Sequence, residues 1–131
     1  MAEMLQVKAG GDIGPSRFVS IGAADNTVIE SNADDIDVVG ISQEGVKDAP
    51  GNGGSTEAAE SGDNLMIYPP GSKAIVELGT GGCTRGTYGM PDADGKAIAG
   101  TTGKPVFCLF FESGSAGEFV EVLVTPRNYE P

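Results

Sequence analysis

Glycine and proline interrupt this chain so often that little room is left for helices. An ordinary α-helix needs about ten or more residues free of both, with apolar positions recurring about every 3.6 residues, and almost no stretch offers that. The 131 residues include 21 glycines and 8 prolines in no fixed short period, which excludes a collagen-like repeat and leaves a turn-rich β protein. The length suits one domain that buries a core of its own without disulfides or metals.

Short runs rich in β-branched or aromatic residues recur between turn signals, at 4–8, 17–21, 27–30, 36–42, 64–68, 73–78, 105–112 and 118–125. The spacing predicts an all-β fold, a small β-barrel or β-sandwich with long Gly/Pro-rich loops. Val106–Phe111 is an unbroken apolar run of strand length, so it is expected to be covered on both faces and to form the centre of the core. In the last strand Val120, Val122 and Val124 share one face and Phe119, Glu121 and Leu123 the other; the valine face is predicted to point inward. Ser113–Gly117 reads as the turn of an antiparallel hairpin, and Asp92–Lys96 as a second tight turn. Gly62-Asp63 and Gly117-Glu118 both precede strands, a likeness that turn preference alone explains.

Two segments stand apart. Residues 45–63 offer almost nothing to bury, which predicts a long polar surface loop. Gly10–Pro15 separates Met1–Lys8 from the first firm strand, so residues 1–16 read as an extended N-terminal arm and 17–131 as a single β domain.

Nineteen acidic and eight basic residues give a formal charge of −11, which opposes nucleic acid and anionic lipid by repulsion. Asp25–Asp63 holds 10 of those acids with Lys47 as its lone base, a solvated acidic face or a complement to a basic partner. Nothing approaches the roughly 20 apolar residues of a membrane span, and Met1–Gly10 has no signal-peptide core, so a cytoplasmic site of synthesis is expected. Cys83 and Cys108 are then expected as reduced, buried thiols.

Histidine is absent, which removes the usual general base, the Ser/His and Cys/His nucleophile systems and the commonest metal ligand. Asp34, Asp35 and Asp37 are the densest carboxylates, and they read as a solvated turn. Asp92-Ala-Asp94-Gly95 resembles a calcium loop but lacks the glycine and glutamate at the required places, where Ala97 and Gly103 stand. Gly79–Gly86 is rich in glycine but lacks the Gly-Lys-Ser/Thr ending of a phosphate cradle. Arg17, Arg85 and Arg127 are too scattered for a basic stripe. The reading is of a protein that is not an enzyme and has no cofactor, metal or small-molecule substrate.

Phe18–Ile21, Asn26–Ile29 and Val38–Ser42, followed by Ala74–Leu78, Cys83–Gly86, Met90–Ala97 and Gly117–Val122, resemble in order and spacing the capsid decoration, or cement, proteins of tailed bacteriophages. The likeness runs from about Arg17 to Thr125, and the long polar loop departs from it. The resemblance implies a β-barrel or sandwich on the capsid exterior, often a homotrimer, that clamps neighbouring major capsid subunits and has no enzymatic activity. On that basis Met1, Ala2, Glu3, Met4, Leu5, Gln6, Val7 and Lys8 are the expected capsid contact, an arm that could add a strand to a capsid edge. Rival readings are a tail or baseplate component and a carbohydrate-binding β-sandwich module. The second is disfavoured by the absence of Trp and the presence of only three Tyr.

Overall fold

A computed structural model describes residues 4–33, 37–44, 57–101 and 103–128, without the side chains of 126–128. Among these no helix forms, and ten strands make up the fold. Strands β1 (Leu5–Ala9), β2 (Phe18–Ile21), β3 (Thr27–Glu30), β4 (Val38–Ser42) and β5 (Asn64–Tyr68) close a barrel in the order β1-β3-β2-β4-β5. Strands β6 (Lys73–Glu77), β7 (Tyr88–Pro91), β8 (Ala97–Ala99), β9 (Pro105–Phe110) and β10 (Phe119–Asn128) form a second sheet, ordered β6-β10-β9-β7-β8. All eight expected runs contain strands. The two short ones that flank Asp92–Lys96, β7 and β8, were not expected, because Gly89, Pro91 and three-residue length hide the period-two signal.

Each unit buries its own apolar face, and strand alternation ties the two together. Val19 points into the barrel with Ala9, Ile13, Val28, Leu65 and Ile67, while its neighbour Phe18 points out of it. Phe18, Val38 and Ile41 join Ala74, Val76, Leu78, Phe110 and the valines of β10 in a second core, where Phe18 meets Phe107 edge to face at 6.4 Å. Full burial of each such side chain stabilises by about 1.5–3 kcal/mol. The valine face lies inward as expected, with Val120, Val122 and Val124 at 4%, 0% and 1% exposure against 54% for Phe119. β9 is the central strand of its sheet, and the consecutive buried residues Val106, Phe107 and Cys108 show both of its faces covered there. Alternation resumes beyond them, since Phe110 is buried and Phe111 is exposed.

The two units are the same fold repeated. β1 lies parallel to β3 through Ala9↔Val28, and Leu78, just after β6, makes a parallel bridge to Ala97 of β8 that brings the edges of the second sheet together. Every antiparallel pairing also recurs in register: Val7↔Leu65 matches Val76↔Val120, Ile21↔Val28 matches Pro91↔Ala97, Phe18↔Ile41 matches Tyr88↔Leu109, and Ser42↔Ile67 matches Phe110↔Val122. Left-handed backbone falls at matching positions, at Ser16 and Gly86 (φ 56° and 86°) and at Asn26 and Gly95 (58° and 78°). Gly62 and Gly117 match too, since their N–H groups donate to Ala9 O and Leu78 O at 2.8 and 2.9 Å. The shared form at Gly62-Asp63 and Gly117-Glu118 is thus one structural position occurring twice. Few residues repeat with it, because register depends on alternation and turn geometry more than on residue identity.

Two expectations need correction. Leu5–Ala9 is not an arm: β1 pairs with β3 on one side and β5 on the other, and Ala9 and Ile13 are 2% and 0% exposed. The glycines after it turn the chain without detaching it. Nor is the whole of 45–63 free of buried residues. Ala58 and Ala59 are 2% and 0% exposed and bond to Ile13, because a small side chain fits where the barrel closes; residues 45–56 lie outside the described residues.

Candidate functional site

Groups able to do chemistry are dispersed among the described residues. Asp37 is exposed at the entry to β4, and Asp34 and Asp35 lie outside the described residues. Asp92 Oδ1 accepts from the N–H groups of Asp94 and Lys96 at 2.8 and 3.0 Å, so this carboxylate braces the β7–β8 turn from within. The Gly79–Gly86 segment folds against the β9–β10 hairpin: Cys83 N–H donates to Gly114 O at 2.9 Å, and Arg85 N–H to Ser113 Oγ at 2.8 Å. A side chain at Gly82 would collide with Gly114 O, which is what glycine supplies there. Both cysteines are free; burial pushes the Cys108 thiol far up and raises that of Cys83 less, where Sγ donates to Glu112 O at 3.2 Å. Among the described residues no group of three His, Cys, Asp or Glu side chains could hold a metal ion.

The densest ionic cluster is a clasp between the units. Arg17 reaches Glu30 at 3.1 Å and Glu77 at 3.4 Å, Lys96 also reaches Glu77 at 3.4 Å, and Gly14 N–H donates to Glu30 at 2.6 Å. These side chains are partly solvated, so the clasp orients the units more than it holds them.

What remains conspicuous is exposed apolar surface in two places. One is the barrel mouth, where Leu5 and Ile21, 49% and 54% exposed, sit with Val7 and the 22–27 turn around a cavity of about 480 Å³. The other is a shoulder on the second sheet, where Arg85, Gly86, Leu109 and Phe111 line a cavity of about 400 Å³. Phe111 is 39% exposed, with the Lys73 ammonium 5.7 Å from its ring centre and 2.7 Å from Glu121. Surface of this kind marks contact with another macromolecule more often than chemistry.

The expected contact residues divide. Met1, Ala2 and Glu3 lie outside the described residues; Met4 is half-buried, Leu5 and Val7 face the mouth, and Gln6 and Lys8 are exposed. Since β1 has a strand on each side, Leu5–Lys8 has no free edge to offer a capsid strand, and only its side chains can make contact. Sequence reasoning missed Ile21, Arg85, Leu109 and Phe111. Phe111 was assigned to the core because it ends an apolar run, and the two residues past Leu109 show where the run leaves the sheet.

No protein-family model matches the sequence, and no curated protein sequence matches it. Among solved structures, the fold is similar to that of the head fiber gp8.5 N base in bacteriophage phi29, with a TM-score of 0.58 over 95% of each chain at 17% identity. The class this defines is an all-β fold of two five-stranded units, similar over 95% of its length to a phage head-fibre base.

Proposed function

We propose that this protein is a structural component of a phage virion that binds the outer surface of the capsid, clamps neighbouring major capsid subunits and does so as a homotrimer. The observation that carries the reading is the likeness of 95% of the chain to the base of a phage head fibre. The fold alone fits many roles. Exposed apolar surface on both units, and an Asp92 carboxylate already engaged in bracing its own turn, favour binding over catalysis. A capsid repeats its surface many times, so weak contacts made by each copy of a trimer combine through effective concentration.

Cosedimentation of the purified protein with heads lacking it, followed by heating of decorated and bare heads, tests the proposal. Saturable binding and a higher disruption temperature are expected. Saturable binding without a change in disruption temperature would keep the location and remove the clamp. Failure to bind heads, with binding to tails or baseplates instead, would overturn the capsid assignment.

A further inference from the structure

The duplication gives each exposed patch a buried counterpart within the same molecule. The positions that leave the first mouth open are closed in the second unit: Ala74 and Val76, which match Leu5 and Val7, are 4% and 0% exposed, against 49% for Leu5 and a half-buried Val7. What fills that mouth is the shoulder of the first unit. Ser16, Phe18 and Ile41 are 1%, 0% and 0% exposed there, and Phe18 stacks on Phe107. Their counterparts on the second unit are Gly86, which is exposed, and Tyr88 and Leu109, which are half-buried; Gly86 and Leu109 line the shoulder cavity. The chain therefore carries one completed mouth-to-shoulder joint and one unused half of the joint at each end.

The geometry points to a second copy of this chain as the occupant of both: the second-unit shoulder of one copy, Arg85–Tyr88 with Leu109 and Phe111, enters the first-unit mouth of the next. The completed joint shows how the backbone would engage. Ser16–Phe18 lies between β6 and the β7–β8 turn, with Glu77 N–H donating to Ser16 O and Phe18 N–H to Gly95 O, both at 2.8 Å. In the first unit the matching groups still bond directly, Lys8 N–H to Asn26 O at 3.0 Å. Entry of Gly86–Tyr88 replaces that bond with Lys8 N–H to Gly86 O, the counterpart of Glu77 N–H to Ser16 O in the completed joint. Glycine at 86 suits a segment that must be left-handed there, as Ser16 is in the completed joint. The rims differ in charge, Asp25 on the mouth and Arg85 on the shoulder, and neither has an ion-pair partner among the described residues. Because the two surfaces are different, the contact is head to tail and each copy keeps one free half until a ring closes.

This deepens the reading of a self-associating head protein, and it is tested on the free protein so that its failure leaves capsid binding undecided. Sedimentation equilibrium at about 100 μM, well above a micromolar Kd, compares wild type with Ile21→Arg and Leu109→Arg, alone and mixed. Wild type is expected to associate, and each variant alone to weaken association by at least about 30-fold. The equal mixture is expected to give a one-to-one dimer that grows no further, because the shoulder left intact in Ile21→Arg meets the mouth left intact in Leu109→Arg. Urea midpoints close to wild type would show that both variants remain folded. A monomeric wild type overturns the inference, and so does association of either variant at wild-type strength or a mixture that stays monomeric.

Discussion

The first and second units follow one path through space yet fill it with opposite choices. Where the first sets Val19 beside Gly40 and Ser42, the second sets Gly89 beside Cys108 and Phe110. A side chain at Gly89 would run into the Phe110 ring, so in the second unit the volume that Val19 supplies in the first comes from the neighbouring strand. Backbone topology survives such exchanges because total volume and inward-outward pattern are kept, while individual side chains are free to trade places. The units differ also in cover: one shoulder is sealed inside the molecule, and its counterpart faces solvent.

That difference in cover should give the largest measurable asymmetry. Phe18→Ala is expected to destabilise by about 3–5 kcal/mol, as for a fully buried aromatic, whereas Tyr88→Ala at the matching position should cost about 1 kcal/mol. Urea unfolding measures both, and equal losses would remove the distinction between joined and open shoulders. Because Phe18 belongs to the core of the second unit, the wild-type chain should also unfold in one transition by tryptophan-independent probes such as circular dichroism.

The volume exchange comes next in size. Gly89→Val, which gives the second unit the residue of the first, should cost about 1–3 kcal/mol by overpacking against Phe110. Phe110→Ser, the other half of the first unit's choice, should cost less in the Gly89→Val background than in the wild-type chain. A combined loss equal to or greater than the sum of the two single losses would show that the sites do not compensate.

Thiol chemistry sharpens the comparison further. Burial raises both thiols but Cys108 far more, so in native protein at pH 8 Cys83 should be alkylated well before Cys108, with both modified rapidly after denaturation. Mass spectrometry of the peptides reads the order, and equal native rates would mean that the second core opens readily.

The smallest effect concerns Tyr68, whose counterpart is Leu123. Its hydroxyl donates to Glu44 at 2.6 Å; this bond first, then burial, pushes its pKa up to about 12 from 10.0. The folded chain holds that proton more tightly than the unfolded chain, so the contribution is intact below about pH 10 and is lost as pH rises towards about 12. Tyr68→Phe should flatten the stability curve over that window in urea titrations, whereas Leu123→Ala should leave its pH dependence unchanged.

Much of the fold was legible locally. The strand runs, the inward valines and the hairpin at Ser113–Gly117 follow from alternation and turn chemistry, which act over a few residues. The candidate surfaces were less legible: Leu5 was singled out, though for a detached arm. Ile21 and Leu109 gave no signal, since an apolar residue in a strand reads alike whether a neighbour covers it or nothing does.

Composition and periodicity alone determined that this protein is all-β, where eight of the ten strands lie and which face of the final strand is buried, because those properties depend on side-chain alternation and glycine placement. Only the tertiary structure decided that β1 closes a barrel, that the chain is one fold twice over, and that one mouth is filled while the other stands open. Strand pairing joins residues far apart through backbone groups common to every residue, so the sequence carries little record of which partner each strand takes.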